Sequence, residues 1–384
     1  MEVRLISDWN KFLELKPDWD RLFGDNDYNS VFLSWDWCKC WLEHFMPKSG
    51  TDLFILVAMS STNKNVVGIA PLIKTRASNL FGRSITIQFI GHDIAADYMD
   101  FLIDPESDDS HKIIASLVNE STKGNDWTKI DLMRFEGLKN TKDSIKSHLE
   151  NQKFPYQISL DSISPQILLN LSKNEYLMSL SKGLRQDLRT SQNKLPSESI
   201  LEMTSYSCFK DIYYLDKLVG FHKDRQKDKV GTSIFRDSKW KNFLNGLLNS
   251  KQTGLFSDLS VLKLDGKIIS TVFGFRTKSR FLYWIPSFDT SYHGISIGKL
   301  HLHKLIDRTI DENIPLFDFM IGDEDYKRRG SNTSTENWRI LIYREKKNYI
   351  KEELISRTKN KLIPLKQRSK TMNLIWLRLS KLIK

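Results

Sequence analysis

The sequence predicts a mixed α/β protein made of two segments that share one order of elements. Three observations carry this reading. Short strand-like runs alternate with amphipathic helical stretches through the first 345 residues. The second half repeats the order of the first after a helical insert. The strands that close each half share a local pattern, Ile130-Asp131-Leu132-Met133 against Phe317-Asp318-Phe319-Met320. The expected layout is a first domain over residues 1–165, a second over 166–345, and a tail over 346–384.

In the first segment, residues 9–22 form an amphipathic stretch and residues 34–45, with Trp35, Trp37 and Trp41, an aromatic helix. Strands follow at 53–58 and 66–73 across a polar turn, then at 84–90 and 97–103. A helix at 111–119 leads into a closing strand at 128–132. Residues 170–249 read as mostly helical, with Leu184, Leu188 and Leu195 on one face and Lys182, Arg185 and Arg189 on another. Residues 259–264 and 267–276 form a hairpin, because Asp265-Gly266 supplies the positive φ of a tight turn. A third strand at 280–285 precedes a helix beginning near Ser296, whose Leu302, Leu305, Ile306, Thr309 and Ile310 keep helical spacing, and 316–320 returns as a strand.

The composition, 384 residues with 40% apolar and 27% charged, is that of a globular chain and excludes collagen-like, mucin-like and small disulfide-stapled classes. Cys38, Cys40 and Cys208 cannot build a disulfide framework, which suits a reducing cytoplasm. Residues 1–13 lack the pattern of a secretory signal, and no run approaches the roughly 18 apolar residues of a membrane span. The net charge is +11, yet from Arg344 onward there are 13 Lys and Arg against 3 Asp and Glu, so the body is nearly neutral. A basic tail fits an electrostatic tether to an anionic surface, not a nucleic-acid groove. Residues 371–384 are a basic amphipathic stretch suited to lying on a membrane.

Gly294-Ile295-Ser296-Ile297-Gly298 has the letters of a serine-hydrolase elbow, but a loop-like stretch precedes it. The histidines after Ser296, His301 and His303, lie on the helix that the serine begins, which disfavours a triad. The spacing also fails as a Walker loop. What remains is a Gly- and Ser-bearing turn opening a helix, whose unpaired N–H groups and helix dipole suit a pyrophosphate. The string FDFMIGDEDYK, residues 317–327, places acids, a Tyr and a Lys where a strand gives way to a loop. Asp97 and Asp100 flank a short strand and would point to opposite faces. No metal-binding spacing is present.

Phe32-Leu33-Ser34-Trp35-Asp36-Trp37 with Trp41, Asp97-Tyr98-Met99-Asp100, the basic stretch 181–195, Ser296-Ile297-Gly298-Lys299-Leu300 and FDFMIGDEDYK occur in that order. Together they resemble the CelD-like acyltransferases of the GNAT superfamily, which occur in bacterial polysaccharide-synthesis clusters and are related to Fem-type peptidyltransferases. The resemblance spans roughly residues 5–345. It implies two tandem GNAT-like domains, the second binding acyl-coenzyme A with its pyrophosphate at the turn before the long helix. The family commonly has Pro where Ile297 stands, which leaves this loop less rigid. Gly294, Ser296, Gly298 and Lys299 are the implied cofactor-binding residues. Asp323 or Asp97 is assigned as base and Tyr326 as acid toward the leaving thiolate, while Asp100, Arg185, Arg189, Lys327 and Trp284 are assigned to substrate.

The implied reaction is direct transfer of an acetyl or longer acyl group to an amine or hydroxyl of a cell-envelope sugar, polysaccharide precursor or lipid, without a metal. Alternatives are a Fem-type aminoacyltransferase using aminoacyl-tRNA and a peptidoglycan precursor, a non-catalytic polysaccharide-assembly protein, and the disfavoured hydrolase. The expected location is cytoplasmic, peripheral on the inner membrane face through residues 367–384.

Overall fold

Apolar residues alternate along the strands and recur every three to four positions along the helices, and each element buries the face this spacing defines. The computed structural model describes residues 1–24, 30–46, 50–79, 82–92, 94–136, 140–206, 212–227, 233–250 and 256–354. The chain opens with β1 (Glu2–Ile6), α1 (Trp9–Glu14), α2 (Lys16–Phe23), α3 (Trp35–Phe45), β2 (Thr51–Leu53), β3 (Ile55–Met59) and β4 (Val66–Ala70). It continues with β5 (Leu72–Asn79), β6 (Gly82–Phe89), β7 (Leu102–Ile103), α4 (Ser110–Thr122), β8 (Lys129–Glu136), α5 (Thr141–Glu150) and β9 (Tyr156–Leu168). Next come α6 (Lys173–Ser179), α7 (Lys182–Asn193), β10 (Leu201–Tyr206), α8 (Tyr213–Arg225), α9 (Ser238–Leu248), β11 (Phe256–Leu264) and β12 (Lys267–Arg276). The last are β13 (Arg280–Phe288), α10 (Ile297–Asp311), β14 (Leu316–Asp318), α11 (Asp325–Gly330) and β15 (Thr333–Tyr343), followed by helical residues 346–354.

Contacts divide the chain into two units. The first holds Met1–Phe23, Met46–Asp161 and the chain from Asn337, and the second holds Gly24–Phe45 and Ser162–Glu336. In the first, β5 pairs antiparallel with β2 and β6, while β6 and β8 run parallel across α4. In the second, β10, β11, β12 and β13 form an antiparallel meander, and β13 and β14 run parallel across α10. The same step, an antiparallel strand followed by a helical crossover to a parallel one, occurs in both. The shared sequence pattern marks it: parallel pairing ends at Gln88 with Asp131 in one unit and at Leu282 with Asp318 in the other.

The division differs from continuous domains over 1–165 and 166–345. Residues 24–45 join the second unit because α3 buries its aromatic face there, with Trp37 5.8 Å from Phe243 and Phe45 5.0 Å from Trp240. The tail expected from residue 346 starts within the first unit, where Lys129 pairs with Glu352 at 3.0 Å and the Tyr343 and Tyr349 rings lie 5.5 Å apart. Residues 355–384, with the amphipathic stretch, lie outside the described residues. The strand expected over 97–103 is confined to β7, with Met99 bridging Phe135, and the helical insert contains a strand, β10. Cys38 and Cys40 are buried free thiols, the second pushed up to about 12 by burial, and Cys208 lies outside the described residues.

Helix α10 is seated on its sheet by apolar packing and by one buried polar network. Leu302, Leu305 and Ile306 pack with Val272, Phe281 and Phe317. His301, fully buried, lies 2.9 Å from Ser260 Oγ through Nε2 and 2.8 Å from Ser270 Oγ through Nδ1. Ser270 donates its only hydroxyl proton to Ser287 O at 2.9 Å, so it accepts from His301 Nδ1–H, and Nε2 then accepts from Ser260. Burial, with Arg308 and Lys304 nearby, lowers the imidazole to about 3, which keeps it neutral. A second link is the pair of Arg308 with buried Asp258 at 3.0 Å.

This network sets a pH dependence. Above about pH 6.5 the histidine is neutral folded and unfolded, and its contribution is complete. Between about 6.5 and 3 the unfolded chain takes up a proton that the folded state refuses, so stability declines as pH falls. His301→Gln should cost about 1–3 kcal/mol at pH 7 and remove about 1.4 kcal/mol per pH unit from the acid-side slope in urea unfolding. An unaltered slope would show that His301 is protonated in the fold.

Candidate functional site

The parallel pair β13 and β14 is joined for three registers, Arg280 with Leu316 through Leu282 with Asp318. Beyond that, β13 runs on to Phe288 while β14 stops, and positive φ at Met320 (63°) and Gly322 (150°) turns the following chain. A gap at the carboxyl ends of parallel strands is where open α/β sheets place ligands.

Two tyrosines stand at this opening. Tyr283, the first residue of β13 past the paired stretch, is buried with its ring 5.8 Å from Phe317 and 6.2 Å from Phe319. Tyr326 on α11 sits 6.3 Å from Phe319 and is 36% exposed. Burial pushes both hydroxyls well above the usual phenol range, Glu324 adds to the rise, and Arg225 opposes it. Each group therefore feels the same neighbours. Arg225 reaches in from α8, donating to Pro286 O at 3.1 Å with its guanidinium 5.0 Å from the Phe288 ring. Lys327 is buried, donates to Ile321 O at 2.9 Å and pairs with Glu324 at 3.1 Å.

The start of α10 completes the group. Ser296, its N-cap, is held left-handed at φ 58° and ψ 45°, and its side chain makes no capping hydrogen bond. Lys299 N and Leu300 N bond to Ser296 O at 2.9 and 3.4 Å. The N–H groups of Ile297 and Gly298, in the first turn, have no intrahelical acceptor. A Cβ at Gly298 would lie 3.1 Å from the Phe288 ring, so glycine lets the helix start approach the end of β13.

The structure brings together only some of the expected residues. Ser296, Gly298, Tyr326 and Lys327 lie around the opening. Gly294 is exposed, its carbonyl accepting from Lys194 at 2.8 Å, and Lys299 pairs with Asp187 on α7 at 3.1 Å. Asp323 is almost fully exposed and pairs with Arg328 at 2.9 Å, pointing to solvent rather than into the opening. Asp97 and Asp100 belong to the first unit, where Asp97 pairs with Arg134 at 3.3 Å and buried Asp100 accepts from Phe101 N at 2.7 Å. Trp284 is part of an aromatic stack, 5.3 Å from Phe275 and 6.1 Å from Phe32, which makes it a packing residue. Arg185 donates to Met178 O and Leu180 O, and Arg189 is exposed on α7.

Sequence reasoning missed Arg225, Tyr283 and Glu324. Glu324 stood inside the acidic string and Tyr283 inside an expected strand. Nothing local marks Arg225, whose position comes from packing α8 on β13. Among the described residues, no cluster of His, Cys, Asp or Glu is placed to hold a metal ion, and no helix is long and apolar enough to cross a membrane.

Comparison with known proteins bears on this geometry. Residues 182–328, within the second unit, match the family described as acetyltransferase (GNAT) domain. No curated protein matches the chain. Among solved structures, a conserved protein of unknown function from Bacteroides thetaiotaomicron is similar with a TM-score of 0.57 at 14% identity, over 89% of this chain and all of that one. FemX is similar at 0.56 and 12% identity, over 88% of this chain and 97% of that one. L-PGS from Bacillus licheniformis is similar at 0.53 and 12% identity, over 93% and 98%. At such identities these likenesses establish the mixed α/β fold. The matched stretch marks residues 182–328 of the second unit as similar to a GNAT acetyltransferase domain.

Gly322 tests the local geometry. A Cβ there would meet Glu324 Oε2 at 2.1 Å and Lys327 Nζ at 2.5 Å, and its φ of 150° disfavours other residues. Gly322→Ala should lower stability by about 1–3 kcal/mol in thermal or urea unfolding; wild-type stability would show that the ion pair does not crowd this backbone.

Proposed function

We propose that the chain transfers an acyl group from acyl-coenzyme A to an amine or hydroxyl at the opening between β13 and β14. The observation that carries this reading is the coincidence of parted parallel strands, an uncapped helix start and two phenols held protonated, Tyr283 buried and Tyr326 part-exposed, in one stretch similar to an acetyltransferase domain. The free N–H groups of Ile297 and Gly298, at the positive end of the α10 dipole, fit a pyrophosphate. Bound there, coenzyme A would present the acyl group as a reactive thioester.

The protein's own groups then supply proton management. Tyr326 stays protonated at neutral pH and can give its proton to the departing thiolate. Glu324, the carboxylate that both tyrosines feel, takes the proton released as the acceptor nitrogen or oxygen bonds to the acyl carbon and the carbon–sulfur bond breaks. It replaces Asp323, which faces solvent against Arg328. Lys327 and Arg225 position these groups and balance their charge. The acceptor class, a cell-envelope sugar, polysaccharide precursor or lipid, rests on the resemblance of the motif series. The basic tail supports work near an anionic surface.

Isothermal titration with acetyl- and longer acyl-coenzyme A should show binding at about 1–100 μM, lost in Gly298→Trp. Tyr326→Phe should lower turnover by roughly 10²–10⁴, whereas Asp323→Asn should leave it near wild type. The reading fails if no acyl-coenzyme A binds, or if Tyr326→Phe turns over normally.

A further inference from the structure

A cavity of about 770 Å³ lies away from the opening, between α6, α7 and one flank of α10. Its lining is strongly cationic. Lys182 and Arg189 from α7 and Lys304 from α10 face it, and none of the three is in an ion pair among the described residues. Of the other lining cations, Lys173 is held by Asp311, and Arg185 donates to the carbonyls of Met178 and Leu180. Asp307 is the single acid of the lining, and burial raises its carboxyl. His303, lowered to about 4 by burial, is neutral at pH 7.

Five cations against one acid, Asp307, which Lys304 and Lys173 both influence, are a local excess of positive charge that a multiply charged anion would relieve. Lys182 and Arg189 are seven residues apart, roughly 10 Å along the helix, so a lone carboxylate reaches one of them, whereas linked phosphates can reach both. The floor of Leu188, Leu201 and Leu300 is apolar and asks for an organic portion, while Gln186 and Gln192 offer amides. The chain's own basic tail is excluded as occupant by like charge. The cavity starts at Leu300, past the first turn of α10, and its other cations come from a different helix.

We propose that this cavity is a second ligand site, separate from the transfer site, for a diphosphate ester whose phosphates meet Lys182, Arg189 and Lys304 and whose organic part lies on the leucine floor. Two sources share this chemistry, a nucleotide-linked sugar and an isoprenoid diphosphate. The full chain is titrated with UDP-N-acetylglucosamine and with monomeric farnesyl diphosphate, with N-acetylglucosamine and farnesol as neutral controls. At least one diphosphate should bind, and the one that does identifies the source. Its affinity should fall on the order of tenfold or more in Arg189→Ala with Lys304→Ala. Lys182→Gln, at an exposed position, should weaken it in the same direction. Saturating acetyl-coenzyme A should not displace the probe, and acetyl-coenzyme A affinity should be unchanged in the variants, which separates this site from the donor site. The proposal is overturned if neither diphosphate binds, if the neutral controls bind equally, if the variants bind like wild type, or if acetyl-coenzyme A displaces the probe.

Discussion

The neutral imidazole of His301 is the constraint on which the second unit's geometry depends. It joins α10 to β11 through Ser260 and to β12 through Ser270, which continues to the Ser287 carbonyl of β13. Apolar packing alone would let the helix slide or rotate at modest cost. A hydrogen-bonded chain with one permitted proton arrangement has a single register, and each group stranded by a shift costs about 1–3 kcal/mol. The start of α10 is thereby held against the end of β13, where Gly298 lies beside the Phe288 ring.

Three of the positive-φ residues lie beside that helix start and the opening. Ser296, Met320 and Gly322 all have positive φ, one at the helix start and two just after the short strand. Non-glycine residues hold such conformations where the surroundings over-determine them, as they do at sites where chain must be aimed. Here it carries the segment from which Glu324, opposed by Arg225 of α8, acts electrostatically on Tyr283 and Tyr326. Both phenols stay protonated for the same reason, burial, and both are influenced by the same carboxylate.

Much of the fold was legible because its signals are local. Asp265 and Gly266 both have positive φ, as their hairpin required, and the helix expected near Ser296 begins at Ile297. The returning-strand pattern placed Asp131 and Asp318 at matching ends of the two parallel pairs, where Arg339 grips Asp131 and Gln166 bonds Asp318. Other elements carried no such mark. β5 reads LIKTRASN and β9 carries Pro165 amid Ser and Asp, so neither alternates cleanly. β10, with sequence LEMTSY, is held by pairing with β11, and nothing in its letters separates it from the helical stretch expected there. At the site, the acidic string is visible in the sequence but not which acid acts on the tyrosines, since neighbouring Asp323 and Glu324, both exposed, differ in their partners.

The path of the chain between the units bears on how the protein is made. Neither unit is a continuous stretch, because the second takes residues 24–45 from near the start and the first is completed only by β15 near the end. On the ribosome, α3 emerges more than a hundred residues before its partner α9 and must wait with Trp37, Trp41 and Phe45 uncovered. The first unit likewise lacks its last strand until translation has passed Tyr343. Two long intervals of unburied aromatic and strand-edge surface are therefore intrinsic to synthesis, and they are where a chaperone would engage this chain. A fragment cut at residue 166 would make the exposure of Phe243 and Trp284 permanent, because Trp37 and Phe32 from the distant N-terminal stretch are what cover them.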